Sequence, residues 1–236
     1  MTGARPTSPL RIGFLVFPDV MQLDLTGPHE VLSQLPDSVV HLIWKDTEPV
    51  RASSGMRILP DTRFEDCPPL DVICVPGGGG VGPLLEDGSV LAFLRDAAGS
   101  ARFVTSVCTG SLVLGAAGLL RGRRAACHWL SRDLLTEFGA TPVALRVVRD
   151  GNLITGGGVT AGIDFGLALV AELRGDEAAQ AIQLQIEYDP DPPFAAGSPD
   201  TAPAAIVQRV RAATTARQAE RARRVARAAA ALKARA

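Results

Sequence analysis

Phe103-Val104-Thr105-Ser106-Val107-Cys108-Thr109-Gly110-Ser111-Leu112-Val113-Leu114 carries the reading of the fold. From Arg102 to Val107 the chain is a compact run of mostly apolar, β-branched residues, the composition of a strand buried on both faces. From Thr109 to Leu120 it is rich in Gly, Ala and Leu and reads as a helix ending near Gly122. A cysteine stands at the junction. A strand that ends on a nucleophile and turns at once into a helix is a nucleophile elbow, here with sulfur in place of a serine hydroxyl. The sharp turn needs small neighbours, and Gly110 and Ser111 supply them.

Outward from this junction the pattern repeats. Leu10 to Phe17, Val39 to Lys45 and Asp71 to Val75 read as further buried strands. Leu23 to Leu35 and Pro83 to Ala98 read as helices, with Pro28 expected near the start of the first. Met56 to Leu59 is short and extended. Pro142 to Arg149 and Asn152 to Thr155 form a hairpin around Asp150-Gly151, a type I′ pair. A long helix follows, with Thr160 as its N-cap, running towards Glu187. Alternating strands and helices predict an α/β, doubly wound, mostly parallel sheet with helices on both faces. Ligands in such folds lie beyond the C-terminal strand ends, here after Phe17, Val75 and Val107. The expected organisation is a flexible leader over 1–9 and a catalytic domain over 10–188. A Pro/Gly-rich strap over 189–205 and a basic Ala/Arg helix over 206–236 complete it.

Hydrophobic residues make up 47% of the 236 and charged residues 21%, a globular composition with enough apolar surface for one sizeable core. The net charge of -1 hides an asymmetry. From Ile206 onward there are nine Lys/Arg and one acidic residue, so the rest holds 15 basic and 24 acidic residues. An acidic body is a poor nucleic-acid surface. The basic tail lacks aromatic residues and a second helix, so packing on the body or on a second subunit is the expected role. No apolar run is long enough to span a bilayer, and the stretch from Ile12 stops at Pro18-Asp19 without forming a signal peptide. A cytoplasmic protein with free thiols is expected.

Several residues stand where chemistry would be. Gly77, Gly79 and Gly82 satisfy G-x-G-x-x-G after a strand, but the next parallel strand ends in Ser106-Val107-Cys108 without the carboxylate a dinucleotide site wants. A glycine loop whose N–H groups face a substrate fits better. Asp24, between Leu23 and Leu25, reads either as a helix N-terminal charge or as a desolvated acid with a raised pKa. Cys108, at the helix start, is expected to titrate below the free thiol value of about 8.5. Cys67, Cys74 and Cys127 read as structural. His29, His41 and His128 show no metal-ligand spacing, so no metal is expected. His128 is the best histidine partner for the cysteine, although a structural role is the commoner one.

Asp24-Leu25-Thr26-Gly27-Pro28 after the first strand, the Pro76-Gly77-Gly78 loop and Val107-Cys108-Thr109-Gly110-Ser111 together resemble the ThiJ/PfpI superfamily, and within it the isonitrile hydratase branch. The resemblance covers roughly residues 10–205. It implies a flavodoxin-like fold with a C-terminal helical extension, Cys108 as nucleophile and Asp24 as its acid/base partner. It further implies backbone donors at Gly78 and Thr109, no cofactor and a homodimer. Peptidase-like members carry His after the cysteine, where Thr109 stands here. The implied reaction adds water to a small apolar isonitrile through a thioimidate, in a small apolar pocket. The alternatives are a glyoxalase- or deglycase-like thiol enzyme and a ligand-sensing regulatory domain.

Overall fold

The computed structural model describes residues 9–234. The expected leader lies outside the described residues apart from Pro9. The chain runs β1 (Leu10–Leu15), α1 (Gln22–Ser33), β2 (Ser38–Trp44), β3 (Val50–Arg51), β4 (Arg57–Ile58), β5 (Thr62–Arg63) and β6 (Val72–Val75). It continues with α2 (Val81–Leu84), α3 (Gly88–Ser100), β7 (Phe103–Val107), α4 (Gly110–Ala116), β8 (Arg124–Ala125) and β9 (Thr141–Pro142). Last come β10 (Val147–Asp150), β11 (Leu153–Gly156), α5 (Ala161–Arg174), α6 (Asp176–Gln185) and α7 (Ala204–Lys233).

Seven strands form one sheet in the order β10-β11-β7-β6-β1-β2-β5, parallel throughout except for the antiparallel β10–β11 hairpin. Every residue of β6 and β7 is buried, as both-face coverage demands. Helices α1, α5 and α6 form one layer; α3, α4 and the C-terminal half of α7 form the other. Small residues let α1 and α5 approach closely: a Cβ at Gly162 would lie 2.7 Å from Pro28 Cδ, and one at Gly166 would lie 3.0 Å from Val31 Cβ. The connection from β1 goes to β2 on one side, while β6 lies on the other. The C-terminal ends of β1 and β6 therefore flank a topological switch point, the natural crevice of such a sheet.

Several element boundaries differ from the sequence reading. Pro28 sits in the interior of α1, not near its start, and its ring packs on Gly162 of α5. The helix expected over 83–98 is two helices, broken where Asp87 caps α3 by accepting from the Ser89 and Val90 N–H groups. The helix expected to run from Thr160 towards Glu187 is broken at Gly175, whose φ of 88° and ψ of 166° suit glycine alone. Thr160 does hold the N-cap position, but its side chain makes no cap hydrogen bond and instead accepts from Arg146. In the β10–β11 hairpin Asp150 pairs with Leu153, so the loop is Gly151-Asn152. Only Gly151 has positive φ there, the signature of type II′ rather than I′.

Between Gln185 and Ala204 no helix or strand forms, and α7 then runs for 30 residues. Its first half is exposed. From Arg221 onward it lies on the body, burying Val225, Ala228 and Ala229. Arg227 pairs with Glu86 at 2.7 Å and Arg224 reaches the same carboxylate at 3.7 Å. The basic tail thus meets the acidic body. No described helix is long and apolar enough to cross a membrane.

Candidate active site

Cys108 follows the last residue of β7 and precedes α4, with φ at +59°. A non-glycine residue in the left-handed region is strained, and here the surroundings fix it. Its N–H donates to the Gly156 carbonyl at 3.0 Å, and Gly110 lies against the Val75 and Pro76 carbonyls with no room for a side chain. Ser111 Oγ is bonded to Ser106 Oγ at 2.8 Å and to the Ala126 carbonyl at 2.6 Å. The small residues after the cysteine are thus required by packing.

Asp24 is brought to the elbow by α1, where it occupies the first turn with 0% exposure. The glycine loop after β6 is the third part. It is stapled to the segment after β1 by Met21 N–H to the Gly77 carbonyl at 2.9 Å and Gly80 N–H to the Asp19 carbonyl at 3.1 Å. Gly77 N–H donates to Asp24 Oδ2 at 3.0 Å. A Cβ at Gly77 would stand 2.6 Å from Thr109 N and 2.7 Å from Asp24 Oδ2, so glycine is obligatory there. Gly78 has φ of 142° and a Cβ there would lie 2.5 Å from the Asp19 carbonyl and the Met21 N. The three strand ends singled out from the sequence meet at one place.

Burial sets the electrostatics. It lifts the Asp24 carboxyl from its ordinary 3.8 to about 7, while the neighbouring Cys108 thiol and the hydrogen bond from the Gly77 N–H hold it down from a still higher value. Asp24 Oδ1 has no hydrogen-bond partner among the described residues. Cys108 departs from the sequence expectation. Its thiol is pushed well above the ordinary value, first by burial and then by the negative charge of Asp24. The Thr109 N–H opposes this by donating to the sulfur. A helix terminus contributes at most ~2 kcal/mol in favourable, partly buried geometry, and a 5% exposed thiol beside a carboxylate outweighs it. Cys74 and Cys127 are pushed up to about 12, and half-buried Cys67 to about 11, all by burial.

Gly78 N–H is not free, since it donates to Thr109 Oγ1 at 3.1 Å. His128 lines the Cys108 pocket, but no hydrogen bond joins it to the cysteine among the described residues; its Nδ1 accepts from Leu130 N–H at 3.3 Å. Burial, with Arg221 and Arg217 nearby, lowers its pKa, so it stays neutral. No group of three His, Cys, Asp or Glu among the described residues is placed to hold a metal ion.

The pocket over Cys108 measures about 160 Å³. Small it is, but its wall is not simply apolar. Met21, Leu130 and Val159 share it with Arg217, Gln218 and Arg221, because the inner half of α7 packs across the elbow. The sequence predicts that this basic helix packs on the body or on a second subunit, but not that its side chains reach the Cys108 pocket. The signal was the spacing of Arg221, Val225, Ala228, Ala229 and Leu232, one stripe of a helix.

A family model for the DJ-1/PfpI family matches residues 10–172. The chain belongs to the DJ-1/PfpI family. Among curated relatives, an isonitrile hydratase from Pseudomonas putida is 65% identical over 202 residues, covering 86% of this chain and 89% of that protein. A glutathione-independent glyoxalase, DJR-1.2 from Caenorhabditis elegans, is 32% identical over 138 residues, 58% of this chain and 74% of that one. The crystal structure of a ThiJ/PfpI family protein from Pseudomonas syringae superposes with a TM-score of 0.87 at 44% identity, covering 97% of each chain. In this DJ-1/PfpI chain the elbow, the acid and the glycine loop lie side by side.

Proposed function

We propose that the protein is an isonitrile hydratase, with Cys108 as nucleophile and Asp24 as the group that moves protons. The observation that carries this is the buried Asp24–Cys108 pair beneath a small pocket, in a chain 65% identical to the Pseudomonas putida isonitrile hydratase. Removing one proton from the pair leaves a single negative charge, divided between thiolate with neutral acid and thiol with carboxylate. In the first arrangement the sulfur attacks the terminal carbon of R–N≡C and Asp24 gives that carbon its proton. An S–C and a C–H bond form, leaving the thioimidate R–N=CH–S-Cys108. Asp24, now a carboxylate, takes a proton from water as the hydroxyl oxygen adds to the same carbon. Asp24 passes that proton to the nitrogen, which becomes N–H; the hydroxyl then returns its proton to Asp24 as the C–S bond breaks, and R–NH–CHO leaves with the thiolate and neutral acid restored.

Thr109 N–H faces the sulfur, and Gly78 N–H becomes available to the adduct oxygen when the Thr109 hydroxyl turns away. The apolar part of R packs on Met21, Leu130 and Val159. No cofactor takes part. Residues 10–188 form the catalytic domain, and the strap and tail helix extend it. The protein works in the cytoplasm as a homodimer; exposed Leu184 and Phe194, at 82% and 79%, support an apolar contact with a second copy.

Incubating the protein with cyclohexyl isonitrile and following the formamide by NMR tests the reading. Formamide from the wild type and none from Cys108→Ala is the expected result. Turnover of methylglyoxal without hydration would make it a glyoxalase-like enzyme instead. A salt-dependent DNA shift without turnover of either would make it a sensor.

A further inference from the structure

Every polar side chain that α7 turns toward the Cys108 pocket offers a donor. Arg221 is 9% exposed and has no carboxylate partner among the described residues. Its contacts are Ser131 Oγ at 2.9 Å and the Gly78 carbonyl at 3.4 Å. Ser131 Oγ accepts from Arg221 and donates to Gln218 Oε1 at 3.0 Å. That orientation leaves Gln218 Nε2 buried with no acceptor among the described residues. Arg217, on the same helix one turn earlier, also lines the pocket and makes no ion pair among the described residues. His128 accepts at Nδ1, so its proton is on Nε2. Among the described residues no carboxylate lines the pocket; Asp24 is fully buried beneath Cys108.

Buried guanidinium groups are ordinarily paired, and a buried amide donor ordinarily has an acceptor. Four side chains with donors to offer, two of them positively charged, line one 160 Å³ space, a composition that matches a planar anion, and a guanidinium binds a carboxylate through two parallel hydrogen bonds. The same charges oppose a cationic substituent. We infer that the isonitrile acted on at Cys108 carries a carboxylate on a short R group, held by Arg217, Arg221 and the Gln218 amide. This inference rests on the hydratase reading above and specifies its substrate. It also gives α7 a direct role: the helix supplies the anion-recognising wall of a site whose chemistry lies in the sheet.

The test compares isocyanoacetate with its methyl ester, measuring formamide production by the full-length protein at low ionic strength. The acid is expected to show a kcat/KM higher by about tenfold or more, the worth of a charge-assisted hydrogen bond. Added salt should narrow the ratio. Arg217→Gln and Arg221→Gln should each pull it towards one, and exposed Arg217 keeps the test valid if the buried Arg221 variant does not fold. N-formylglycine should inhibit competitively where its methyl ester does not. Turnover of the ester at equal or better kcat/KM overturns the carboxylate inference alone. No formamide from either compound while cyclohexyl isonitrile is turned over also overturns the carboxylate inference alone, and no formamide from any of the three overturns the hydratase reading and this inference with it.

Discussion

Asp24 and Cys108 are each perturbed by burial, and the consequences separate cleanly by experiment. Asp24 titrates near 7 because it is buried, so the pair loses its first proton there. The pH profile of kcat/KM should rise through about pH 7, and Asp24→Asn should lose that limb along with 10²–10⁴-fold of the rate, the usual worth of a general acid–base group. Stability carries the same signature. Between the unfolded value near 3.8 and the folded value near 7, the folded state holds the extra proton. Stability therefore falls as pH rises across that window, by an amount on the order of 4 kcal/mol, and is flat above it. Denaturant midpoints from pH 4 to 8 should show this decline in the wild type and not in Asp24→Asn. Cys108 is held at positive φ, a conformation that costs a side chain about 1–2 kcal/mol. Cys108→Gly should therefore be more stable than Cys108→Ala by about 1 kcal/mol, by denaturant midpoint, with neither forming formamide.

Elements in this chain end where one residue's backbone or side chain forces them to. Asp87 stops a helix from running through 83–98 by capping α3, and Gly175 divides α5 from α6. A Cβ at Gly175 would meet nothing within 4 Å, so the cost of a side chain there is purely that of its backbone angles. Gly175→Ala is expected to destabilise by about 1–3 kcal/mol without affecting turnover, measured by thermal melting and formamide assay. Strands were easier to read than helix ends. β1, β6 and β7 are short apolar runs bounded by turn residues, and any alternative would bury less. Helix periodicity runs on through Gly175 in the sequence, because only the torsion angles at that residue reveal the break.

On the scale of the molecule, the acidic body and basic tail meet through Glu86 with Arg227 and Arg224, and α7 closes one side of the pocket. The exposed first half of α7 carries Ile206 and Val210, which with Leu184 and Phe194 leaves apolar surface for a second copy. Sedimentation equilibrium should give twice the chain mass of 24.7 kDa; a single-chain mass at micromolar concentration would remove the homodimer.

The sheet and the elbow at Cys108 are legible in the residues themselves, while Asp24 as the partner of that cysteine comes from the family resemblance. Sheet and elbow are local features: an apolar run, and a nucleophile between strand and helix. Only the tertiary structure decided the protonation of the pair and the character of the pocket. A helix start suggests a lowered thiol pKa, but burial depth and the approach of Asp24 across 84 residues of chain reverse it. The walls contributed by Arg217, Gln218 and Arg221 lie farther still, 109 to 113 residues away in the other direction. A basic helix looks the same in sequence whether its arginines face water or a nucleophile. Packing of Val225, Ala228 and Ala229 on the body turns Arg221 inward, and that contact is made by the fold rather than by any local pattern of residues.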